Sequence, residues 1–217
     1  MEYIIGALIG YFFGSINMAN IISKKRGIDI KKVGSNNAGA SNVFISVGKI
    51  YGIIVGAFDI FKSFAAALIV YLIFSQNFTA GVIAGTMAII GHIFPFWMKF
   101  NGGKGLAPFM GMVLFYDWKL FIFFGILIIA ITLITDYIGI SALTITALIP
   151  LYAFLFKHEQ ILAAVFAVIS VIMWCKHIEN IKRIANGTEI GFLRKNKEPF
   201  SALFIYKFLQ CSEVFLF

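Results

Sequence analysis

Three polar segments interrupt an otherwise apolar chain of 217 residues, and each is built from residue types that hold anions. The first, Gly34-Ser35-Asn36-Asn37-Ala38-Gly39-Ala40-Ser41-Asn42, follows the basic pair Lys31-Lys32. Its small residues let backbone N–H groups converge on an oxyanion as a nest, with Ser35, Asn36, Ser41 and Asn42 as side-chain donors. A flexible polar loop is the other reading of this composition. The apolar Val43-Phe44-Ile45 that follows suggests instead a segment turning back into apolar surroundings.

The second segment, Lys99-Phe100-Asn101-Gly102-Gly103-Lys104-Gly105, lacks the spacing and the trailing Ser or Thr of a nucleotide-binding P-loop. The physics is related all the same: Gly102, Gly103 and Gly105 admit close backbone approach to an oxyanion, and Lys104 supplies a point charge for phosphate. A tight interhelical turn is the plainer meaning of the string. The third segment runs His177-Ile178-Glu179-Asn180-Ile181-Lys182-Arg183 and then Gly187-Thr188-Glu189. If Cys175 to Ala185 is helical, His177, Asn180 and Arg183 fall on one face at successive turns and can converge on a ligand. Inside the apolar runs, Asp59 and Lys62 stand one helical turn apart, and His92 follows Gly91 near the end of another run. Ionisable groups at membrane depth mark functional sites by default, although mutual neutralisation of Asp59 and Lys62 would account for that pair structurally. His92 could serve packing or line the site.

The elements that position these residues follow from composition. At 60% hydrophobic and 13% charged, the chain cannot bury its apolar surface in a soluble domain of this length. An all-α, polytopic membrane bundle is expected. A span needs about 20 apolar residues, which Tyr3 to Ser23, Ile50 to Phe74, Phe78 to Met98, Trp118 to Thr135, Tyr137 to Phe156 and Gln160 to Cys175 approach or reach. Leu106 to Tyr116 is a shorter apolar stretch. Basic residues gather after the first span (Lys24, Lys25, Arg26, Lys31, Lys32, Lys49), after the third (Lys99, Lys104) and after the last (Lys176, Lys182, Arg183, Arg194, Lys195, Lys197). The positive-inside rule places all three groups on the cytoplasmic side only if Leu106 to Thr135 crosses twice, turning at Tyr116-Asp117-Trp118. About seven crossings with the N-terminus outside are therefore expected, with a five-span arrangement as the alternative. Met1 to Ser23 lacks a basic leading region and a cleavage signature, so it reads as the first span, interrupted at Gly14-Ser15-Ile16-Asn17.

Residues 1–191 are expected to form one membrane-embedded domain, and 192–217 a basic and aromatic tail, either interfacial or poorly ordered. Cys175 and Cys211 sit in unrelated contexts and read as unpaired thiols. No metal site, cofactor or nucleic-acid partner is expected. The apolar segments do not fall into the two matching halves of a repeat-built transporter.

In this order and at these distances, the segments resemble the acyl-phosphate:glycerol-3-phosphate acyltransferase (PlsY) family. Gly34 to Val43 resembles its first motif, Gly91-His92-Ile93-Phe94-Pro95 through Gly105 its second, and His177 to Arg183 with Gly187-Thr188-Glu189 its third; Asp59 and Lys62 match a family pair. The resemblance implies a bacterial plasma-membrane enzyme of phospholipid synthesis, moving an acyl chain from acyl phosphate to the 1-hydroxyl of glycerol 3-phosphate, with membrane lipids around it and an upstream enzyme making acyl phosphate. It implies catalytic roles for Ser35, Lys104, His177 and Asn180. It implies phosphate or substrate binding by Gly34, Asn36, Gly39, Ser41, Asn42, Gly102, Gly103, Gly105, Arg183 and Thr188, with Asp59, Lys62, His92 and Glu189 in support. Four positions depart from the pattern: Ile45 and Asp136 stand where the family usually has arginine, and Gly139 and Ala142 where it has serine. These departures raise a second reading, a diverged paralogue that keeps the phosphate pocket with lost or altered activity; a third, a transporter of organic phosphate, would need a polar pathway through the bilayer, whereas the polar residues concentrate at one face.

Overall fold

The computed structural model describes residues 1–192, so Arg194, Lys195, Lys197, Cys211 and the rest of the expected tail lie outside the described residues. Among the described residues the chain is all-helical: α1 (Glu2–Ser15), α2 (Met18–Lys25), α3 (Ala40–Ser46), α4 (Lys49–Ile73), α5 (Phe78–Ile93), α6 (Leu106–Tyr116), α7 (Trp118–Thr135), α8 (Ile138–Leu155) and α9 (Gln160–Ala185), with a 3-10 turn at Phe96–Met98. Six stretches are long and apolar enough to cross a membrane, the first being α1 and α2 taken together. Polar residues punctuate them where the periodic apolar pattern stops. Asn17 caps α2 by accepting from Asn20 N at 2.8 Å, Asn77 caps α5 through Ala80 N at 3.0 Å, and Asp117 caps α7 through Lys119 N at 2.9 Å. Each cap satisfies an N–H that the first helical turn leaves without a partner.

The helices run alternately between two ends of the bundle. At one end Asn77 donates to Glu2 (2.6 Å), Tyr116 donates to Glu159 (2.5 Å) and Lys157 pairs with Asp117 (3.2 Å). At the other end lie the three polar segments. The tightest seam is α1 on α5. Gly6, Gly10 and Gly14 form a stripe at every fourth residue, and Ala80, Ala84 and Ala88 on α5 keep the same interval. A Cβ on Gly10 or Gly14 would overlap the backbone of Ala84 or Ala88, so the two helices touch main chain to main chain, the packing that drives association where no water is present to be expelled. Such a small-residue stripe is legible in the sequence, and it is what positions the α1–α2 break beside the site.

α6 coincides with the short apolar stretch Leu106 to Tyr116, on which the expected seventh crossing rests. Its 11 residues extend about 17 Å, well short of a hydrocarbon core of about 30 Å. Two features reconcile this. Pro108 to Val113 and Tyr116 are buried within the protein rather than facing lipid, and the loop before α6 dips back into the bundle. There Gly102 N donates to Ile93 O (2.9 Å) and Gly103 N to His92 O (3.1 Å), carrying the chain inward before α6 begins. α7 is the opposite case, with only Leu120, Phe124 and Thr132 buried and a broad apolar face turned outward.

Replacing Gly10 by Ala should weaken the folded protein by ~1–3 kcal/mol, because the added methyl meets backbone that can only yield by separating α1 from α5. Gly125→Ala on α7, where a Cβ has nothing within 4 Å, should be neutral or slightly stabilising. Thermal unfolding in detergent checks the pair; equal melting temperatures would refute the main-chain seam.

Candidate active site

The three polar segments meet around a cavity of about 250 Å³ at one end of the bundle, open toward the ends of α5, α7 and α9. Ser35, Asn37, Gly39 and Ser41 from the first segment line it, with Lys104 and Gly105 from the second and His177, Asn180 and Glu189 from the third. Asp59 and His92 contribute from α4 and α5.

The first segment is organised from within by Asn42. Its Nδ2 donates to the carbonyls of Ile30, Val33 and Asn37, each at 3.0 Å, and its Oδ1 accepts from Ser35 N (3.0 Å) and Ser46 Oγ (3.2 Å). Both functional ends of this buried amide are thus engaged, and Asn42 does not line the cavity. The N–H of Ser35 is likewise committed, and Asn36 N donates to Val33 O at 3.1 Å, so the segment is a braced loop rather than the open nest its composition suggests. Gly34 and Asn36, both with positive φ, form the exposed outer bend, away from the cavity. Asn17, at the α1–α2 break, holds the loop from below by donating to Ala38 O at 3.1 Å.

The glycines of the second segment have a role different from the expected oxyanion approach. The N–H groups of Gly102 and Gly103 are bonded to α5 carbonyls, and a Cβ on Gly103 would collide with the His92 ring. They let the loop lie against α5, which delivers Lys104 into the cavity. Lys31, unassigned by motif, props this loop by donating to Asn101 Oδ1 (2.9 Å) and Gly102 O (3.0 Å). Lys104 donates to Asn180 Oδ1. Burial pushes its ammonium down to about 8; the Glu189 carboxylate opposes that shift, and Arg183 and Lys31 reinforce it.

The helical face expected in the third segment is present. His177 Nδ1 bonds Met173 O at 2.8 Å, and since a carbonyl only accepts, Nδ1 carries a proton and Nε2 of the neutral ring is left with a lone pair. One turn on, Asn180 Nδ2 donates to Glu189 Oε1 (2.5 Å), while Arg183 Nε donates to Glu189 Oε2 (2.5 Å). Arg183 therefore stands behind the cavity, and Thr188 is exposed with its hydroxyl on Arg183 O at 3.4 Å; neither lines the cavity.

Beneath the cavity lies a buried ionic cluster. Lys62 Nζ pairs with Asp59 Oδ1 at 2.7 Å, donates to Ile16 O at 2.8 Å and lies 3.0 Å from His92 Nδ1, so three polar groups surround its charge. The neutralised Asp59–Lys62 pair expected from spacing is present, joined by His92 and by the main chain at the α1–α2 break.

The departures cluster at the same place. Ile45 lines the cavity as an apolar wall, and among the described residues no arginine does. A Cβ on Gly139 would sit 3.6 Å from Asn180 Cβ and 3.7 Å from His177 Cδ2, directly over the third segment. Ala142 is buried below it. Asp136, in the left-handed region at φ 68°, ends α7, and its carbonyl accepts from Phe192 N at 2.9 Å. Phe192, with its ring stacked on Phe44 at 4.9 Å, and Tyr137 complete the wall; single aromatics between motifs carry no signal that would single them out in sequence. Among the described residues no group of three His, Cys, Asp or Glu side chains could hold a metal ion.

Fold and site together define a multi-pass integral membrane protein with a polar cavity, lined by Lys104, where its apolar helices end. A family model described as glycerol-3-phosphate acyltransferase matches residues 4–187, and the chain belongs to that family. Similar proteins include the glycerol-3-phosphate acyltransferases of Thermosipho melanesiensis, 38% identical over 87% of this chain and 92% of that protein, and of Brucella canis, 40% identical over 86% and 92%. Among solved structures, the integral membrane glycerol 3-phosphate acyltransferase PlsY in its glycerol 3-phosphate form superposes with a TM-score of 0.81 at 30% identity, over 88% of this chain and 96% of that one. Its lysophosphatidic acid form gives 0.79 at 29% identity.

Lys62→Met should cost ~3–5 kcal/mol, since it strands the Asp59 carboxylate in an apolar interior and releases the α1–α2 break. Adding Asp59→Asn should recover part of the loss. Denaturant unfolding in micelles reads both, and an unchanged midpoint for Lys62→Met would contradict the role given to the cluster.

Proposed function

We propose that this protein transfers a fatty acyl group from acyl phosphate to the 1-hydroxyl of glycerol 3-phosphate, yielding lysophosphatidate and inorganic phosphate. The observation that carries this reading is the convergence of Ser35, Lys104, His177 and Asn180 on one cavity, in a fold that superposes closely on an acyltransferase in its glycerol 3-phosphate form. Both substrates bear phosphate, and the acyl donor is already activated as a mixed anhydride. Such chemistry asks mainly that two anions be held together and that the carbonyl oxyanion be stabilised.

In this scheme the hydroxyl oxygen attacks the acyl carbon, forming the ester C–O bond; the acyl C–O bond to phosphate then breaks, and the hydroxyl proton ends on the released phosphate. Lys104 supplies positive charge to the phosphate or the oxyanion. The Nε2 lone pair of His177, with Asn180, orients the attacking hydroxyl, and Ser35 and Ser41 donate to phosphate oxygens. Asn42, Gly102 and Gly103 act by shaping the loops that present these groups, and Asp59, Lys62 and His92 form the floor on which the loops rest. Gly34, Asn36 and Thr188 stand outside this set.

The basic residues at the site end support a cytoplasmic orientation with the N-terminus outside, and seven crossings when α6 is counted. Residues 1–191 make the catalytic domain, with the basic and aromatic tail beyond. Acyl phosphates hydrolyse readily, so an enzyme that makes them is the expected upstream partner. A second reading rests on Ile45. An apolar wall in place of a guanidinium removes a two-pronged phosphate grip that lysine does not reproduce, which fits a chain with a changed acceptor or weakened turnover.

Purified protein given acyl phosphate and glycerol 3-phosphate should release phosphate and form lysophosphatidate, and Lys104→Ala should lower kcat by ~10²–10³. The required ammonium is present below its titration and lost above it, so kcat/KM should fall as pH rises through about 8. Release no faster than that of Lys104→Ala would reject the acyltransferase reading. Ile45→Arg separates the two readings: tighter glycerol 3-phosphate binding with modest change in an already active protein supports the first, and activity appearing only in the variant supports the second.

A further inference from the structure

Asn180 presents a problem of orientation that the surrounding residues solve. Lysine ammonium groups donate and never accept, so the amide atom facing Lys104 must be Oδ1. That leaves Nδ2 on the opposite side, buried and in need of an acceptor. Glu189 provides it through Oε1 at 2.5 Å, and its second oxygen is held by Arg183 Nε at 2.5 Å. Arg183 stands one helical turn beyond Asn180 on α9, while Glu189 comes from the segment after the helix. That segment folds back over the cavity, where Ile190 and Phe192 join the wall. The chain Lys104–Asn180–Glu189–Arg183 therefore alternates donor and acceptor without a break.

We propose that Glu189 is a positioning residue for the reaction: its carboxylate fixes the Asn180 amide with oxygen toward Lys104 and supplies the negative charge that balances the Lys104 ammonium in the cavity. This rests on the acyltransferase reading above for its kinetic consequence, but not for its structural one. Lys104 is faced by Glu179, Arg183 and His177 from α9, by Glu189 from the following segment and by Lys31 from the first loop. Asp59, His92 and Tyr137 share its cavity from α4, α5 and the α7–α8 turn. Of these, Glu189 is the carboxylate bound to the same amide as Lys104, and it exerts the largest opposing pull on the burial of the ammonium.

Two substitutions divide the two roles. Glu189→Gln removes the charge and one acceptor, so Lys104 should lose its proton at lower pH, by about one pH unit, as expected for losing an opposite charge nearby. kcat/KM should then fall about fivefold at pH 8, with recovery toward the native value at pH 6.5. Glu189→Asp keeps the charge but is one methylene too short to bridge Asn180 and Arg183; the Lys104 titration should stay near its native position while kcat/KM drops at every pH. The Lys104 titration is read directly by pH-dependent acetylation with acetic anhydride in detergent, quantified on its peptide by mass spectrometry, and needs no turnover. If Glu189→Gln leaves the titration and the alkaline limb unmoved, or if both variants show the same pH-independent drop, Glu189 only holds the segment in shape and the proposal is overturned. If native protein transfers no acyl group yet Glu189→Gln still shifts the titration, the functional reading fails and the positioning role stands. Should Glu189→Gln lose native elution in size exclusion, Glu189→Asp decides alone: a titration displaced as far as an opposite-charge loss predicts would overturn the proposal.

Discussion

The ammonium of Lys62 is the joint on which the cavity rests. A charge this deep in an apolar bundle persists only when it is paired and held by polar groups, and here its partners belong to three different elements: Asp59 one turn earlier on α4, His92 on α5 and the Ile16 carbonyl where α1 gives way to α2. The requirement to satisfy one lysine thereby fixes the relative position of the helices that carry the first and second polar loops. From that junction Asn17 reaches Ala38 in the first loop, and the carbonyls at the end of α5 take the N–H groups of Gly102 and Gly103 in the second.

Above this joint the site is assembled by main-chain hydrogen bonds more than by side chains aimed at substrate. Asn42, which motif logic offers as a ligand residue, has both ends of its amide occupied in shaping the loop. The glycines flanking Lys104 act by absence of bulk, letting the loop press on His92 and lowering Lys104 into a half-buried position. A lysine there retains its charge at neutral pH while being stripped of much of its water, which strengthens its pull on a phosphate or an oxyanion. The same loop starts α6 below the surface, so one irregular segment accounts for both the placement of Lys104 and the brevity of the helix that follows.

Much of this was legible in the sequence because membrane chains state their elements plainly. Apolar runs of span length marked the long helices, i,i+3 spacing paired Asp59 with Lys62, and His177, Asn180 and Arg183 followed the helical period. Ile45, Gly139 and Ala142 were visible as departures, and they lie in or just under the cavity wall. What could not be read was which polar groups face the cavity and which face each other. Composition makes Asn42, Gly102 and Ser41 look alike; only the folded backbone shows that the first two brace loops and the third lines the cavity. The support given by Lys31 was hidden for a similar reason, since a basic residue near a membrane surface is unremarkable until its bonds to Asn101 and Gly102 are seen. The glycine stripe of α1 was open to inspection, but its partner on α5 lies some seventy residues away in sequence, and repeats of small residues gain meaning only in pairs.

The segment around Glu189 and Phe192 has a bearing on how the protein is made. It closes the cavity by stacking on Phe44, a residue synthesised far earlier, and by bonding Asp136. Helices α1 to α8 can enter the bilayer and pack while this segment has yet to emerge, since chains fold from the N-terminus as they are translated. During that interval Asn180 is missing and Lys104 has no amide to meet. A nascent chain therefore carries its floor and its first two loops without a functioning pocket, and competence arrives abruptly, with the last turn of α9 and the few residues that fold back from it.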